Sequence, residues 1–119
     1  MIRYSSEVTI ARPPRAVYEA LLDPVDDAQI ARAGKEKRIL AYHICDWLIP
    51  TRDLLLDRGM MGDGVIDLRG FRAMIEAAGY FGPHEVEIFS RDNWWKRQGD
   101  EVIRTCVEAM AATQGHTQS

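Results

Sequence analysis

The sequence predicts an α/β fold built on parallel strands, and three observations carry that reading. From residue 38 onward the order is strand, loop, helix, strand, loop, helix, the alternation of parallel βα units. The run Ile39-Leu40-Ala41-Tyr42-His43-Ile44-Cys45 is apolar apart from one histidine, as in a strand covered on both faces. The third observation is length. A chain of 119 residues makes one domain of ordinary size, but a complete (β/α)₈ barrel takes roughly 200–250 residues, so one copy is too short to close such a barrel.

Taken in order, residues 7–11 read as a short strand, with Val8 and Ile10 alternating with polar neighbours. Pro13 and Pro14 break it and suit the first turn of a helix over 15–22, which Asp23-Pro24 punctuates. A second helix is expected over 25–33 with Gly34 as its stop. The strand at 38–45 follows. Residues 46–66, with Pro50, Gly59, Gly62 and Gly64, read as a long connection without regular structure, a feature that tends to be functional in a compact domain. Asp67 is a good N-cap for the next helix, where Phe71, Met74, Ile75 and Ala78 recur at helical spacing before Gly79. Residues 84–89 read as a strand and 90–99 as a polar loop holding Trp94 and Trp95. The last helix is expected over 100–112, with Val102, Ile103, Cys106, Val107 and Met110 on one side, and a frayed tail after it.

Composition excludes several classes. The chain is 46% hydrophobic and 28% charged, with a net charge of −3, so it has material for a core and lacks the basic stripe of a nucleic-acid binder. The cluster from Lys35 to Arg38 reads as a solvated turn. No apolar run approaches the ~18 residues of a membrane span, and the first ten residues lack the apolar core of a signal peptide. The expected compartment is the cytoplasm. Cys45 and Cys106 lie in separate apolar segments and are expected as reduced, buried thiols.

The pair His43 and Glu87 is the strongest candidate for chemistry. Each lies in an apolar strand near its carboxyl end, where α/β sheets bind ligands. Alternation puts His43 on one face with Ala41 and Cys45, and Glu87 with Glu85 and Phe89. A buried carboxylate without a partner costs several kcal/mol, roughly, and a divalent metal shared with a histidine removes that cost; carboxylate and imidazole suit Mn, Co, Zn or Mg. The alternative is that Glu87 finds an arginine and His43 a backbone acceptor. Two ligands fall short of the three protein groups a metal site generally needs.

The loop Asp57-Arg58-Gly59-Met60-Met61-Gly62-Asp63-Gly64 is the second candidate. It is no Walker A loop, because no Gly-Lys-Ser/Thr follows. Its glycines allow close approach to a ligand, or serve a plain turn. Asp46, Arg52 and Arg58 suit hydrogen bonding to hydroxyl or phosphate groups, or surface ion pairing. Trp94 and Trp95 either wall a sugar site or a subunit contact, or divide into one core and one exposed residue. Cys45 two residues from His43 does not by that spacing make a nucleophile pair.

Assembled, the stretch Ala41-Tyr42-His43-Ile44-Cys45-Asp46-Trp47-Leu48-Ile49-Pro50-Thr51, then 57–64, then Val86-Glu87-Ile88-Phe89 resembles the C-terminal part of sugar phosphate isomerases/epimerases, of the xylose isomerase-like TIM barrel superfamily. The resemblance covers about 23–112. It implies a partial (β/α) barrel holding the last two βα units, with an N-terminal strand-helix addition. It implies that His43, from the seventh strand, and Glu87, from the eighth, bind a divalent metal, and that Glu87 also serves as acid and base. It places Asp46, Arg58, Gly62 and Gly64 near substrate. The implied reaction is metal-assisted proton transfer next to the carbonyl of a small-molecule sugar or sugar-derived substrate.

The family's remaining ligands, a Glu and an Asp from the fifth and sixth strands, have no counterpart here. Where members carry Asp-Val-Tyr-His, this chain has Ala16-Val17-Tyr18-Glu19. The metal site is therefore expected to be incomplete, and the chain inactive alone, a truncated form whose unpaired strand edges favour self-association. The alternative function is a non-catalytic barrel remnant or a small ligand-binding module. Asp57-Arg58-Gly59 lacks the histidine of the related endonuclease IV group's Asp-Arg-His, which argues against a nuclease. The opening segment, from Glu7-Val8-Thr9-Ile10-Ala11 to Asp23-Pro24, weakly resembles START-like polyketide cyclase/dehydrase proteins. The expected division is 1–23 for that segment (START-like or a remnant sixth barrel unit), 24–115 for the barrel part and 116–119 for a disordered tail.

Overall fold

The computed structural model describes residues 8–10 and 27–114. The expected helix at 15–22, the positions of Ala16 and Glu19, the division at residue 23 and the tail lie outside these residues. Within them the order is β1 (Val8–Ile10), α1 (Asp27–Lys35), β2 (Ile39–Ile44), β3 (Asp46–Trp47), β4 (Arg58–Gly59), α2 (Leu68–Ala77), β5 (His84–Val86), a 3₁₀ turn at Trp94–Lys96, and α3 (Gly99–Gln114).

β2 and β5 run parallel, with Tyr42 opposite His84, His43 opposite Glu85 and Ile44 opposite Val86. With α2 as the crossover they form the parallel βαβ arrangement that the element order predicts. The fold class is thus α/β, with the parallel βαβ arrangement that a partial (β/α) barrel contains. Both strands are shorter than expected, although the Glu87 amide still donates to the Ile44 carbonyl at 2.9 Å and carries the ladder one residue past β5. β1 joins the other edge of β2 antiparallel, with a register irregularity between Thr9 and Ile10.

Segment 46–66 departs from the expectation of a structureless loop. β3 and β4 pair antiparallel inside it, Asp46 opposite Gly59 and Trp47 opposite Arg58. The Arg58 amide donates to the Phe89 carbonyl at 2.9 Å and the Arg91 amide to Leu56 at 3.0 Å, so the connection is stitched to the chain leaving β5. A long segment folded back on a domain has to find partners for its backbone groups, and here it finds them in itself and in residues 89–91.

The core lies on one side of β2. Tyr42 and Ile44 point into it and are fully buried, meeting Ile30 of α1, Phe71 and Ile75 of α2, Met60, Met61 and Ile66 of the connection, and Trp94. Ala41 and His43, on the opposite face, are only half-buried. The expectation of a strand covered on both faces therefore holds for one face among the described residues. On the face that carries the histidine, the His43 side chain keeps 28% of its surface exposed.

Helix ends show a second departure. α1 runs through Gly34 to Lys35, and its left-handed residue is Lys37, with φ 54°. The Lys37 amide donates to Gly34 and the Arg38 amide to Ala33, at 2.9 and 2.8 Å, the bond pair of a Schellman termination. Gly34 serves another purpose: a Cβ there would collide with the carbonyl of Ala78, so the glycine lets α1 and the end of α2 touch. α2 follows expectation. Asp67 caps it, accepting from the Gly70 amide at 3.0 Å, and Gly79 ends it at φ 91°, with Tyr80 and Gly79 donating to Ile75 and Glu76.

Candidate functional site

The half-exposed face of β2 and β5 carries the site, at the carboxyl ends of both strands. Because strand side chains alternate faces, His43 looks away from the core that Tyr42 and Ile44 fill. The parallel register sets Glu85 directly opposite it, and Glu87 follows on the same face. His43 Nε2 lies 2.9 Å from Glu85 Oε2. Its Nδ1 lies 3.6 Å from Glu87 Oε2, beyond hydrogen-bond length, and is sealed from solvent without a hydrogen-bond partner.

Arg58 reaches the same carboxylate from β4. Its Nη1 donates to Glu87 Oε2 at 3.2 Å, and its guanidinium lies over the Phe89 ring, 4.7 Å from the centroid, a cation–π contact. The stitching of 56–58 to 89–91 delivers it there. Glu87 thus does find an arginine, and it keeps a histidine nitrogen nearby as well. Cys45, behind them, is a free and buried thiol. Burial pushes its pKa up, against the opposing pull of Arg58, which keeps it protonated and a poor nucleophile. Cys106 is also free, and only half-buried.

Asp46 is 1% exposed. Its carboxylate accepts from the amides of Trp47, Gly62 and Ile66 at 2.8, 2.9 and 3.0 Å. It binds both ends of the glycine turn to the end of β3, so its oxygens are engaged within the loop. Gly62 has φ 96°, and its amide goes to Asp46. Gly64 sits where a Cβ would strike the Trp47 carbonyl. The structure places both glycines around Asp46, as the turn requires. Arg52 is exposed and pairs with Asp57, Nη2 to Oδ1 at 3.3 Å. Of the two tryptophans, Trp94 is in the core while Trp95 is 55% exposed, packs edge-on against Phe89 and donates from Nε1 to the Ile88 carbonyl at 3.1 Å.

Glu85 is the site residue that sequence reasoning left without a role. Alternation already placed it on the face of Glu87, but only the β2–β5 register shows that it meets His43. Phe89, as the platform under Arg58, is a second such residue.

A neutral imidazole nitrogen and a carboxylate oxygen are suitable donors for a divalent ion. His43 Nδ1, buried and without a partner beside Glu87 Oε2, has the chemistry of one corner of such a site. Among the described residues no group of three or more His, Cys, Asp or Glu side chains is placed to hold a metal. The pair fits a divalent ion as two donors and no more. No helix among the described residues is long and apolar enough to cross a membrane.

Comparison with known proteins bears on this arrangement. None of the curated proteins matches the chain. The crystal structure of protein SMc04130 from Sinorhizobium meliloti 1021 is similar, with 70% identity and a TM-score of 0.72 over 73% of this chain. The match covers 32% of that protein's chain, so this chain spans about a third of its length. Residues 15–112 match the model of the xylose isomerase-like TIM barrel family. Parallel strands ending in a histidine and a glutamate, and a family match over most of the length, lead to one assignment: the chain belongs to the xylose isomerase-like TIM barrel family.

Proposed function

We propose that this chain carries the His43–Glu87 part of a sugar isomerase/epimerase-type site, working by proton transfer next to a substrate carbonyl. The observation that supports it most is the convergence of His43, Glu87 and Arg58 at the carboxyl ends of two parallel strands, in a family of barrel proteins. Glu87 is the proton carrier. Its carboxylate is about one-third exposed, open enough to meet a carbon acid, while Arg58 holds one of its oxygens in place. Arg58, seated on Phe89, also offers donors to a substrate hydroxyl or phosphate. Asp46 with Gly62 and Gly64 keeps the loop above the site in shape. His43 and Glu87 would hold a divalent ion (Mn, Mg, Co or Zn). When bound, such an ion stabilises negative charge on the carbonyl oxygen as the neighbouring proton leaves.

His43 and Glu87 are two donors among the described residues, and we propose that the chain is inactive until further donors join them. Complementation tests that. The chain, mixed with a polypeptide carrying the first six βα units of a family barrel and Mn²⁺, is given a ketose in D₂O. Exchange of the proton next to the carbonyl is followed by NMR. We expect exchange only in the mixture, with loss in E87Q. Exchange that ignores Glu87, or none in a mixture that has assembled, contradicts the reading.

A second reading, a non-catalytic binding module, draws on Arg58 occupying Glu87 Oε2 and on the two-donor count among the described residues. Saturable binding of a sugar without any proton exchange would favour it. We also propose that the chain associates with a second copy through strand edges, since β5 is the last strand of the described sheet and an open edge templates pairing. Light scattering behind size exclusion is expected to give a mass above that of one chain, and a strictly monomeric mass contradicts it.

A further inference from the structure

We propose that Glu85 is a positioning residue for His43: its carboxylate accepts a hydrogen bond from Nε2–H and so leaves the lone pair on Nδ1, facing Glu87. This deepens the reading above and rests on it where the metal is concerned. The hydrogen bond itself is a matter of this chain alone.

The contact is fixed by the backbone. His43 and Glu85 are register partners in the β2–β5 ladder, and the two side chains leave the sheet on the same face. The resulting Nε2–Oε2 distance is 2.9 Å, a charge-assisted hydrogen-bond length. A neutral imidazole carries one proton on one nitrogen. With the proton on Nε2, Glu85 accepts it and Nδ1 is left with a lone pair. With the proton on Nδ1, a lone pair on Nε2 would face a carboxylate oxygen at 2.9 Å, and a buried N–H would lack an acceptor, since Glu87 Oε2 is 3.6 Å away. Glu87 Oε2 is also held by Arg58. The first arrangement pairs the single N–H and leaves only the Nδ1 lone pair without a partner, whereas the second opposes two acceptors at 2.9 Å and strands a buried donor.

The arrangement serves metal chemistry. Histidines that ligate metals donate their other ring N–H to a carboxylate or carbonyl, which fixes tautomer and ring orientation. Glu85, with a side chain 56% exposed, stays solvated on its far side and is free to do this without entering the donor set. Nδ1, already dry and beside Glu87, is the nitrogen left to ligate.

The test uses the full chain with ¹⁵N-labelled imidazoles at a pH where they are neutral, with H43Q assigning the His43 signals. In the wild type we expect one tautomer, protonated on Nε2. E85A is expected to give an exchanging mixture of both tautomers, and E85Q, whose amide oxygen still accepts, to keep the wild-type form. A wild-type proton on Nδ1, protons on both nitrogens, or an E85A spectrum matching wild type would overturn the proposal. Zn²⁺ is then added. We expect the coordination shift on Nδ1 and affinity about 10-fold weaker in E85A, the scale of loss for an outer-shell carboxylate. A shift on Nε2 overturns the proposal. A wild type that ignores Zn²⁺ defeats the metal reading, while the tautomer spectra still decide the role of Glu85.

Discussion

Asp46 carries more of the fold than any other single side chain near the site. It is buried, and three backbone amides donate to it. Removing an acceptor leaves each buried donor unsatisfied at about 1–3 kcal/mol. D46A is therefore expected to destabilise the chain by about 3 kcal/mol or more, and D46N by less because one oxygen remains; urea midpoints measure both. Asp57 works similarly in the middle of the connection. The Arg52 amide, 2.9 Å from Oδ2, and then the Arg52 guanidinium hold its carboxyl below the usual range. A depressed folded-state pKa gives stability that is complete above the unfolded value, about 3.9, and lost as pH falls through the folded value. The stability gap between wild type and D57N should therefore close as pH drops below about 4, as unfolding curves across pH will show. His43 and Glu87 stand out in the sequence as polar residues within apolar runs, and the structure brings the two within 3.6 Å of each other. The work of Asp46 was not legible there, since nothing local tells that amides 16 and 20 residues later return to it.

At the scale of elements, the helix ends separate two uses of glycine. Gly34 reads as a helix stop, yet it is where α1 meets Ala78, while Lys37 takes the left-handed position. A pattern of residue types along one helix reveals neither a contact made by another helix nor the cost accepted at Lys37. Two substitutions test this with opposite signs. G34A improves helix propensity by roughly 0.8–1 kcal/mol but forces α1 from α2, so a net loss of about 1–3 kcal/mol is expected. K37G removes a left-handed strain of about 1 kcal/mol, so a gain of that order is expected. Thermal unfolding reads both. α3 is held by Arg69, which donates to the carbonyls of Ala112 and Thr113 at 3.0 and 3.1 Å. R69A should cost about 0.5–1.5 kcal/mol and speed amide exchange in the last turn. α2 was readable from its cap, periodicity and Gly79 because all three signals are local. The β3–β4 pairing was not, because its partners lie across a loop with no hydrophobic alternation.

At the scale of the molecule, two parallel strands with their helices match part of a xylose isomerase-like barrel, and this chain spans about a third of the length of SMc04130. The parallel order was legible from the alternation of strands and helices. The antiparallel β1 on the second edge of β2 was not, because a short apolar strand carries no sign of its direction or neighbour. We propose that the strand ends offer His43 and Glu87 as two donors for one divalent ion. Titration calorimetry of Mn²⁺ into the purified chain, with H43A and E87Q in parallel, tests it most directly. A saturable heat is expected in the wild type, and both substitutions are expected to abolish it. A wild type without heat, or variants that titrate as it does, would contradict it.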